Sequence, residues 1–320
     1  MTVKIIISFL LLFTLNPVSA LDDPWDIINK AAEASKKLSY KGIFHSQHSN
    51  DIKSIEITHA FRGSDEYGSD EYTRINMLDG DFGEALADGK NVVVYHSHKN
   101  DVIMQKRKNQ HLFPAIFPVN PEILKNNYEL GFGDKERIAG RNSQIVVLRP
   151  LDKYRNFYHF WLDEETSIPL KMIVSDGDNN VFEQSSFTNI TFAQSSNLSW
   201  FKPSIDNKKQ DIIEKKLEET TTINKFWKLK NILPGFKEVD QITQRTPGLN
   251  ILSHQLVYSD GLAYVSLFIR PVAKDKRPKI GEVRIGSTNI SARYYNGYQI
   301  MSVGSVPVST VKHFSESVEF

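Results

Sequence analysis

The chain has no cysteine among its 320 residues. That excludes disulfides, thiolate zinc sites and a cysteine nucleophile. It leaves the compartment open, because a chain this long buries enough surface to fold without staples. Charge of one sign is missing too: 39 Lys and Arg balance 38 Asp and Glu, for a net charge of +1. The overall charge therefore gives no support for a nucleic-acid partner. Beyond the N-terminus no apolar run is long enough to cross a bilayer. No phosphate loop, dinucleotide fingerprint or nucleophile elbow occurs, and Gly131-x-Gly133 stands alone, too short to count. These absences argue against an enzyme, and no cofactor is expected. His96-x-His98 puts two imidazoles on one strand face, but no third ligand accompanies them, so no metal is expected.

What is present reads as a secreted, soluble, two-domain protein. Apolar residues make up 40% and charged residues 24%, a globular balance, and the length suits about two domains. Lys4 precedes an apolar core from Ile5 to Leu15, which Asn16-Pro17 ends. Val18-Ser19-Ala20 then offers small residues for cleavage. Residues 1–20 are thus the anatomy of a secretory signal peptide, and the mature chain is expected to start near Leu21.

The first domain, 21–203, is expected to open with a helix over Pro24–Leu38. Asp23-Pro24 supplies a cap and a first position, and Ile28, Ala31, Ala32 and Ser35 recur at helical spacing. Alternation then predicts strands at Tyr40–His45, Ile52–His59, Arg74–Leu78 and Asn91–His96, with turns at Asp79-Gly80 and Asp88-Gly89. Arg137–Phe187 holds four apolar runs split by Pro, Asp, Asn and Gly, the mark of consecutive antiparallel strands. There Tyr158, Phe160 and Leu162 share one face, and Phe157, His159 and Trp161 the other. Neither face is polar, so both are expected to be covered. Between His111 and Tyr128 the strands stop. Phe113-Pro-Ala-Ile-Phe117-Pro is apolar and Pro-rich at once. It fits a lid packed over the open side of a sheet, or a mobile flap over a cleft for lipid or peptide. Phe44, Ile57, Leu78, Val93, Phe160 and Met172 are expected to line that cleft, with Phe113 and Phe117 on the lid. Core packing explains the same residues equally well.

Residues 204–224 turn polar, with a charge run at Glu214–Glu219 and three threonines after it. This is the expected linker, solvated and with room for a short helix. The second domain, 225–320, carries a hairpin from His254 to Ile269 with Asp260-Gly261 at its tip. Tyr264 and Phe268 share one face of its second strand; Val265, Leu267 and Ile269 share the other. Val311, Phe314, Ser315 and Val318 follow at helical spacing after the caps Ser309-Thr310. One face of the hairpin should pack on that helix, and the other must be covered by the first domain or by a partner. Tyr258, Asp260, Gly261, Tyr264, Phe268 and Arg293 are therefore the expected partner-binding residues, with the two aromatics Tyr264 and Phe268 as anchors.

Short motifs in this order also resemble a known family. They are Tyr40-x-Gly42-x-Phe44, Leu78-Asp79-Gly80 and Glu84, then Ile138-Ala-Gly-Arg141, Pro150-x-Asp152, Trp161-Leu-Asp163 and Pro169-Leu-Lys171. Leu233-Pro-Gly-Phe236, Tyr258-Ser-Asp-Gly-Leu-Ala263, Gly286-x-Thr288-Asn289 and Val303-Gly304-x-Val306-Pro307 continue it. The chain resembles the RseB/MucB family, periplasmic regulators of the sigma-E envelope-stress response, over nearly its whole mature length. The resemblance implies an α+β protein. Its N-terminal domain would be a half-open antiparallel β-barrel with helices, like the lipoprotein carriers LolA and LppX. A smaller C-terminal antiparallel sheet with a closing helix would follow. It further implies binding to the periplasmic part of the anti-sigma factor RseA, which is thereby shielded from proteolysis. Lipopolysaccharide, an acyl chain or mislocalised lipoprotein would release it. A lipid or lipoprotein carrier is the alternative, and a homo-oligomer fits either.

Overall fold

The computed structural model describes residues 23–48, 51–65, 68–89, 91–98, 101–108, 112–178, 180–192, 197–204, 212–214, 227–245, 252–273 and 276–320. The expected signal peptide lies outside the described residues.

Helix α1, Asp26–Lys37, buries Ile28, Ala31, Ala32 and Ser35 along one stripe. Asp26 in its first turn and Lys36 and Lys37 in its last suit the helix dipole. It starts two residues later than expected. Asp23 accepts the Trp25 N–H at 3.0 Å and so shapes the turn before the helix.

The first sheet is built from β1 Tyr40–His48, β2 Asp51–Asp65, β3 Gly68–Met77, β4 Gly83–Ala87, β5 Asn91–His98 and β6 Asp101–Lys108. It continues with β7 Tyr128–Ile138, β8 Arg141–Pro150, β9 Phe157–Asp163, β10 Pro169–Ser175 and β11 Val181–Phe192. The spatial order is β6-β5-β4-β3-β2-β1-β11-β10-β9-β8-β7, all antiparallel. Among the described residues the end strands do not pair with each other, so the sheet stays open. At its centre, Gly42 is required by close approach. A Cβ there would stand 2.6 Å from the Asn189 carbonyl and 2.8 Å from the Phe187 ring. Phe44, Ile57, Tyr158, Phe160, Met172 and Phe187 face inward, and α1 and residues 113–124 pack over them into one core. On the outer side of β9, Trp161 is covered by its neighbours: its Nε1 donates to Glu136 at 2.7 Å, and the Lys171 amine lies 4.3 Å above its ring.

Of the expected linker, residues 204 and 212–214 are described. Ile212–Glu214 form strand β12, which adds parallel to β6 opposite Val102–Met104. The remainder of 205–226 lies outside the described residues.

The second sheet comprises β14 Lys237–Arg245, β15 Leu252–Ser259, β16 Tyr264–Pro271, β17 Gly281–Ile285, β18 Thr288–Tyr295 and β19 Tyr298–Gly304, in the order β14-β15-β16-β19-β18-β17. Two short strands, β13 Lys228–Leu229 and β20 Val318–Glu319, pair beside it. Helix α2, Val308–Glu316, covers one face, with Val311 and Phe314 against Val265, Leu267, Ile269 and Ile300. Val318 joins this core from β20 rather than from the helix. Ser309 and Thr310 do not cap α2. They lie within its first turn and donate to the Lys153 and Tyr154 carbonyls at 3.1 and 2.7 Å, tying α2 to the first domain.

Candidate partner-binding site

Six of the eight residues expected at a lipid cleft come together, but as packed core. Phe44, Ile57, Phe113, Phe117, Phe160 and Met172 are all buried in one cluster. Phe113 lies between Phe44 and Phe187 at ring distances of 5.1 and 5.3 Å, and Phe117 lies 4.6 Å from Phe160. The lid is thus a lid in the packed sense. The other two are displaced. Leu78 follows the last residue of β3 and starts the turn, 51% exposed. Val93 is one residue out of phase. Ile57 pairs across the sheet with Ile75, Ile75 with Ala85, and Ala85 with Val94. Val94 therefore carries the inner face, and Val93 packs outside with Leu86, Tyr95 and Phe201. Because Val92, Val93 and Val94 are identical, the pattern could not select the phase.

That outer patch is held by an ion pair that sequence reasoning did not single out. Arg74 Nε donates to Glu84 Oε1 at 2.7 Å, and the Glu84 side chain is fully buried. Arg74 also donates to the Trp200 carbonyl, and Ser204 N–H to Glu84, at 3.1 and 2.9 Å. Residues 197–204 are thereby clamped across β3 and β4.

The hairpin tip does not reach solvent. Asp260 is fully buried. Its Oδ1 accepts the Leu262 and Ala263 N–H groups at 3.0 and 2.9 Å, which closes the turn. Its Oδ2 accepts from the Tyr128 hydroxyl at 2.9 Å and from Arg155 Nε at 2.8 Å, both in the first domain. Burial, with the Asp260 charge beside it, pushes the Tyr128 hydroxyl pKa well above the ordinary tyrosine range. Arg155 also bonds Asp152 and the Pro234 carbonyl, and lies 5.1 Å over the Phe236 ring. Leu262 enters the first domain's core. Gly261 has φ +106°, and Ile123, Leu124 and Pro118 stand 3.0 to 3.3 Å from where a Cβ would be. Backbone sign and socket together demand glycine.

Two further expected residues are structural. Tyr258 is 2% exposed, its ring lies tilted beside Phe314 at 5.1 Å, and its hydroxyl donates to Glu238 at 3.1 Å. Arg293 donates to the Ser315 carbonyl at 2.6 Å, the Glu316 carbonyl at 3.1 Å and the Val318 carbonyl, so it satisfies the C-terminal end of α2. Burial lowers its pKa from the ordinary arginine value.

Tyr264 and Phe268 differ from these four. Both are half-buried on the sheet face away from α2. The register adds residues that sequence reasoning missed. Phe268 pairs with Met301, and Ser266 with Val303; Val303 pairs with Ile290, and Ile290 with Val283. Met301, Val303 and Ile290 are half-buried, whereas Val283 and Ile285 keep 53% and 65% of their surface. The signal was available as a second apolar alternation along β17, β18 and β19, opposite in phase to the one that packs on α2. The result is a contiguous apolar face that neither α2 nor the first domain fully covers, a surface suited to a protein partner.

An open sheet domain plugged by a second sheet domain with an uncovered apolar face defines a two-domain binding protein. The chain belongs to the MucB/RseB family: residues 23–208 match the MucB/RseB N-terminal domain and residues 221–319 the MucB/RseB C-terminal domain. It is 24% identical over 309 residues to the sigma factor AlgU regulatory protein MucB of Pseudomonas aeruginosa, covering 94% of this chain and 92% of that one. It is 22% identical over 317 residues to the sigma-E factor regulatory protein RseB of Escherichia coli, covering 97% and 94%. The crystal structure of MucB in complex with MucA(peri) shares the fold, with a TM-score of 0.71 at 22% identity over 93% of this chain and 98% of that one. Among the described residues no helix is long and apolar enough to cross a membrane.

Proposed function

We propose that this chain is a periplasmic regulatory binding protein, not an enzyme, that holds the periplasmic segment of a membrane anti-sigma factor and so restrains a sigma-E-type response. The observation that carries this reading is the family match through both domains. A carrier of lipid or lipoprotein would use the first domain alone. Relatives named as regulators of AlgU and sigma-E match along nearly the whole chain. MucB, which shares the fold, has been crystallised with MucA(peri). The carrier reading has less support, since the residues expected to hold an acyl chain are packed against one another.

The uncovered face of the second sheet is where the partner segment would lie. Tyr264 and Phe268 are the anchors, and Met301, Val303 and Ile290 the apolar bed around them. Removing such a face from water contributes about 25 cal/mol per Å². A releasing signal acts only by binding the partner-free form better. An acyl chain would have to part the lid from the sheet to do so.

Calorimetry with the purified anti-sigma segment tests this. The double change Tyr264→Ala and Phe268→Ala is expected to cost about 2 kcal/mol or more of binding. Unchanged affinity in a folded double variant eliminates this face. In a pull-down from envelope extract, a regulator retains one inner-membrane protein, and a carrier many lipoproteins.

A further inference from the structure

Positive charge is concentrated at one end of the second domain. Five of the ten residues from Arg270 to Lys279 are Lys or Arg and one is acidic, on a chain whose net charge is only +1. Protein surfaces ordinarily intersperse the two signs. Arg270, Lys276, Arg277 and Lys279 are all exposed. Among the described residues, Arg270, Arg277 and Lys279 have no carboxylate partner. Apolar surface lies among these cations. Ile280, next to Lys279, keeps 72% of its surface, and Tyr294 keeps 48%.

Strand register and one buried glutamine bring these residues together. Arg270 of β16 pairs with Gln299 of β19, and Gln299 with Tyr294 of β18, so the three share one face at the end of the sheet. The Lys279 N–H donates to Gln299 Oε1 at 2.8 Å, and Gln299 Nε2 donates to the Lys279 carbonyl. Gln299 is buried, so the segment that carries Lys279 is clamped over the strand ends. The Val272 N–H bonds the Gly297 carbonyl at 2.9 Å at the same end. Pro278 fixes its own backbone torsion between Arg277 and Lys279. The tip that enters the first domain, Asp260-Gly261, is at the opposite end of β16, since the strand from Tyr264 to Arg270 spans about 20 Å. The cationic end therefore lies away from the first domain.

We propose that this end of the second domain docks on the surface of a bilayer that carries anionic phospholipid. The four cations meet the phosphates, Ile280 enters the acyl boundary, and Tyr294 lies at headgroup level, where amphipathic rings are favoured. Each cation near such a surface strengthens binding about fivefold, and salt screens the effect. An acidic protein segment would complement the charge, but it gives no role to an isoleucine left in water among the cations. The contact is separate from the first domain's core and needs no acyl chain to part the lid from the sheet. With so little inserted apolar surface it is reversible. Its purpose rests on the regulatory reading above. A protein that holds a membrane protein's segment gains from sitting on the same membrane, because confinement raises effective concentration. Arg270 and Tyr294 share the sheet face of Phe268, so the docked end runs on into the bed for that segment.

Co-sedimentation of the purified mature chain with vesicles, with no partner segment present, tests this. The wild type is expected to bind vesicles of phosphatidylglycerol and phosphatidylcholine at low salt, to leave them at high salt, and to ignore pure phosphatidylcholine. Arg277→Glu with Lys279→Glu is expected to weaken binding at least about twentyfold, and Ile280→Ser several-fold. All three positions are exposed, and an unchanged melting temperature shows that the variants are folded. Lys30→Glu with Lys41→Glu makes the same change in net charge at exposed positions of the first domain and is expected to bind as the wild type does. Calorimetry of R277E/K279E with the anti-sigma segment in solution is expected to match the wild type, so this proposal and the regulatory reading fail separately. A wild type that ignores anionic vesicles overturns the proposal. So does equal weakening by the two double reversals, or full binding by R277E/K279E. If R277E/K279E instead loses the anti-sigma segment while the wild type ignores vesicles, the cations serve an acidic protein partner.

Discussion

Arg155 Nε donates to Asp260 Oδ2 at 2.8 Å across the boundary between the two sheets, and neither side chain touches solvent. Removing water from both partners makes the pair costly to form and more costly to break from one side. Asp260→Asn keeps the shape of the turn but leaves the Arg155 charge with Asp152, whose side chain is part-exposed, as its remaining acidic partner. The expected loss is about 3 kcal/mol of stability in urea unfolding, together with faster proteolysis between the domains. Asp152→Asn, at the solvent end of the same cluster, is expected to cost under about 1 kcal/mol. Equal effects from the two changes would mean that Asp260 does not hold the domains together.

The lid gives a second contrast. Phe117 is 1% exposed against Phe160, whereas Leu78 is 51% exposed in a turn. Phe117→Ala is expected to cost about 3 to 5 kcal/mol, and Leu78→Ala within about 0.5 kcal/mol. Thermal or denaturant melts of the two variants check both. A mobile flap would give the opposite result for Phe117, with stability unchanged and acyl-chain binding lost.

A third prediction concerns pH. The His59 ring is buried, stacked 4.8 Å from Tyr40, with Nε2 3.0 Å from the Lys36 carbonyl and Nδ1 2.8 Å from Thr73 Oγ1. Burial holds its pKa below the ordinary histidine value, and the Lys36 carbonyl pulls the other way. The unfolded chain therefore takes up this proton first as pH falls. The stability from neutral His59 is complete above about pH 6.5 and is lost as pH drops from there toward the folded value. His159, lowered by burial and then by Arg149, adds with the same sign. Glu71, raised by burial, titrates with the opposite one. The melting temperature is expected to fall on acidification, and His59→Gln to flatten that slope. An identical slope in the variant would remove His59 from the account.

Much of the fold was legible in the chain because periodicity and turn chemistry are local. Ile28, Ala31, Ala32 and Ser35 define one helical stripe, and α1 buries those four. Asp79-Gly80, Asp88-Gly89 and Asp260-Gly261 mark three reversals, and each glycine has a positive φ. The alternation of Val265, Leu267 and Ile269 was enough to place one hairpin face on α2 through Val311 and Phe314. Such signals depend on neighbours within a few positions, and a single chain carries them.

What only the tertiary structure decided depends on which surfaces meet. Three consecutive valines read alike, and pairing of Ala85 with Val94 turned Val93 outward. Tyr258, Asp260 and Arg293 are polar or aromatic residues of a kind found at interfaces. Their partners at Glu238, Arg155 and Ser315 lie 20, 105 and 22 positions away, and those partners took them out of solvent. The short strand at Ile212–Glu214 had no pattern of its own and exists because β6 offered an open edge. Composition marked Tyr264 and Phe268 as aromatic. Whether the first domain would cover their face was decided by the packing, which leaves both half-buried, because a sheet two residues in period has two faces and α2 covers the other.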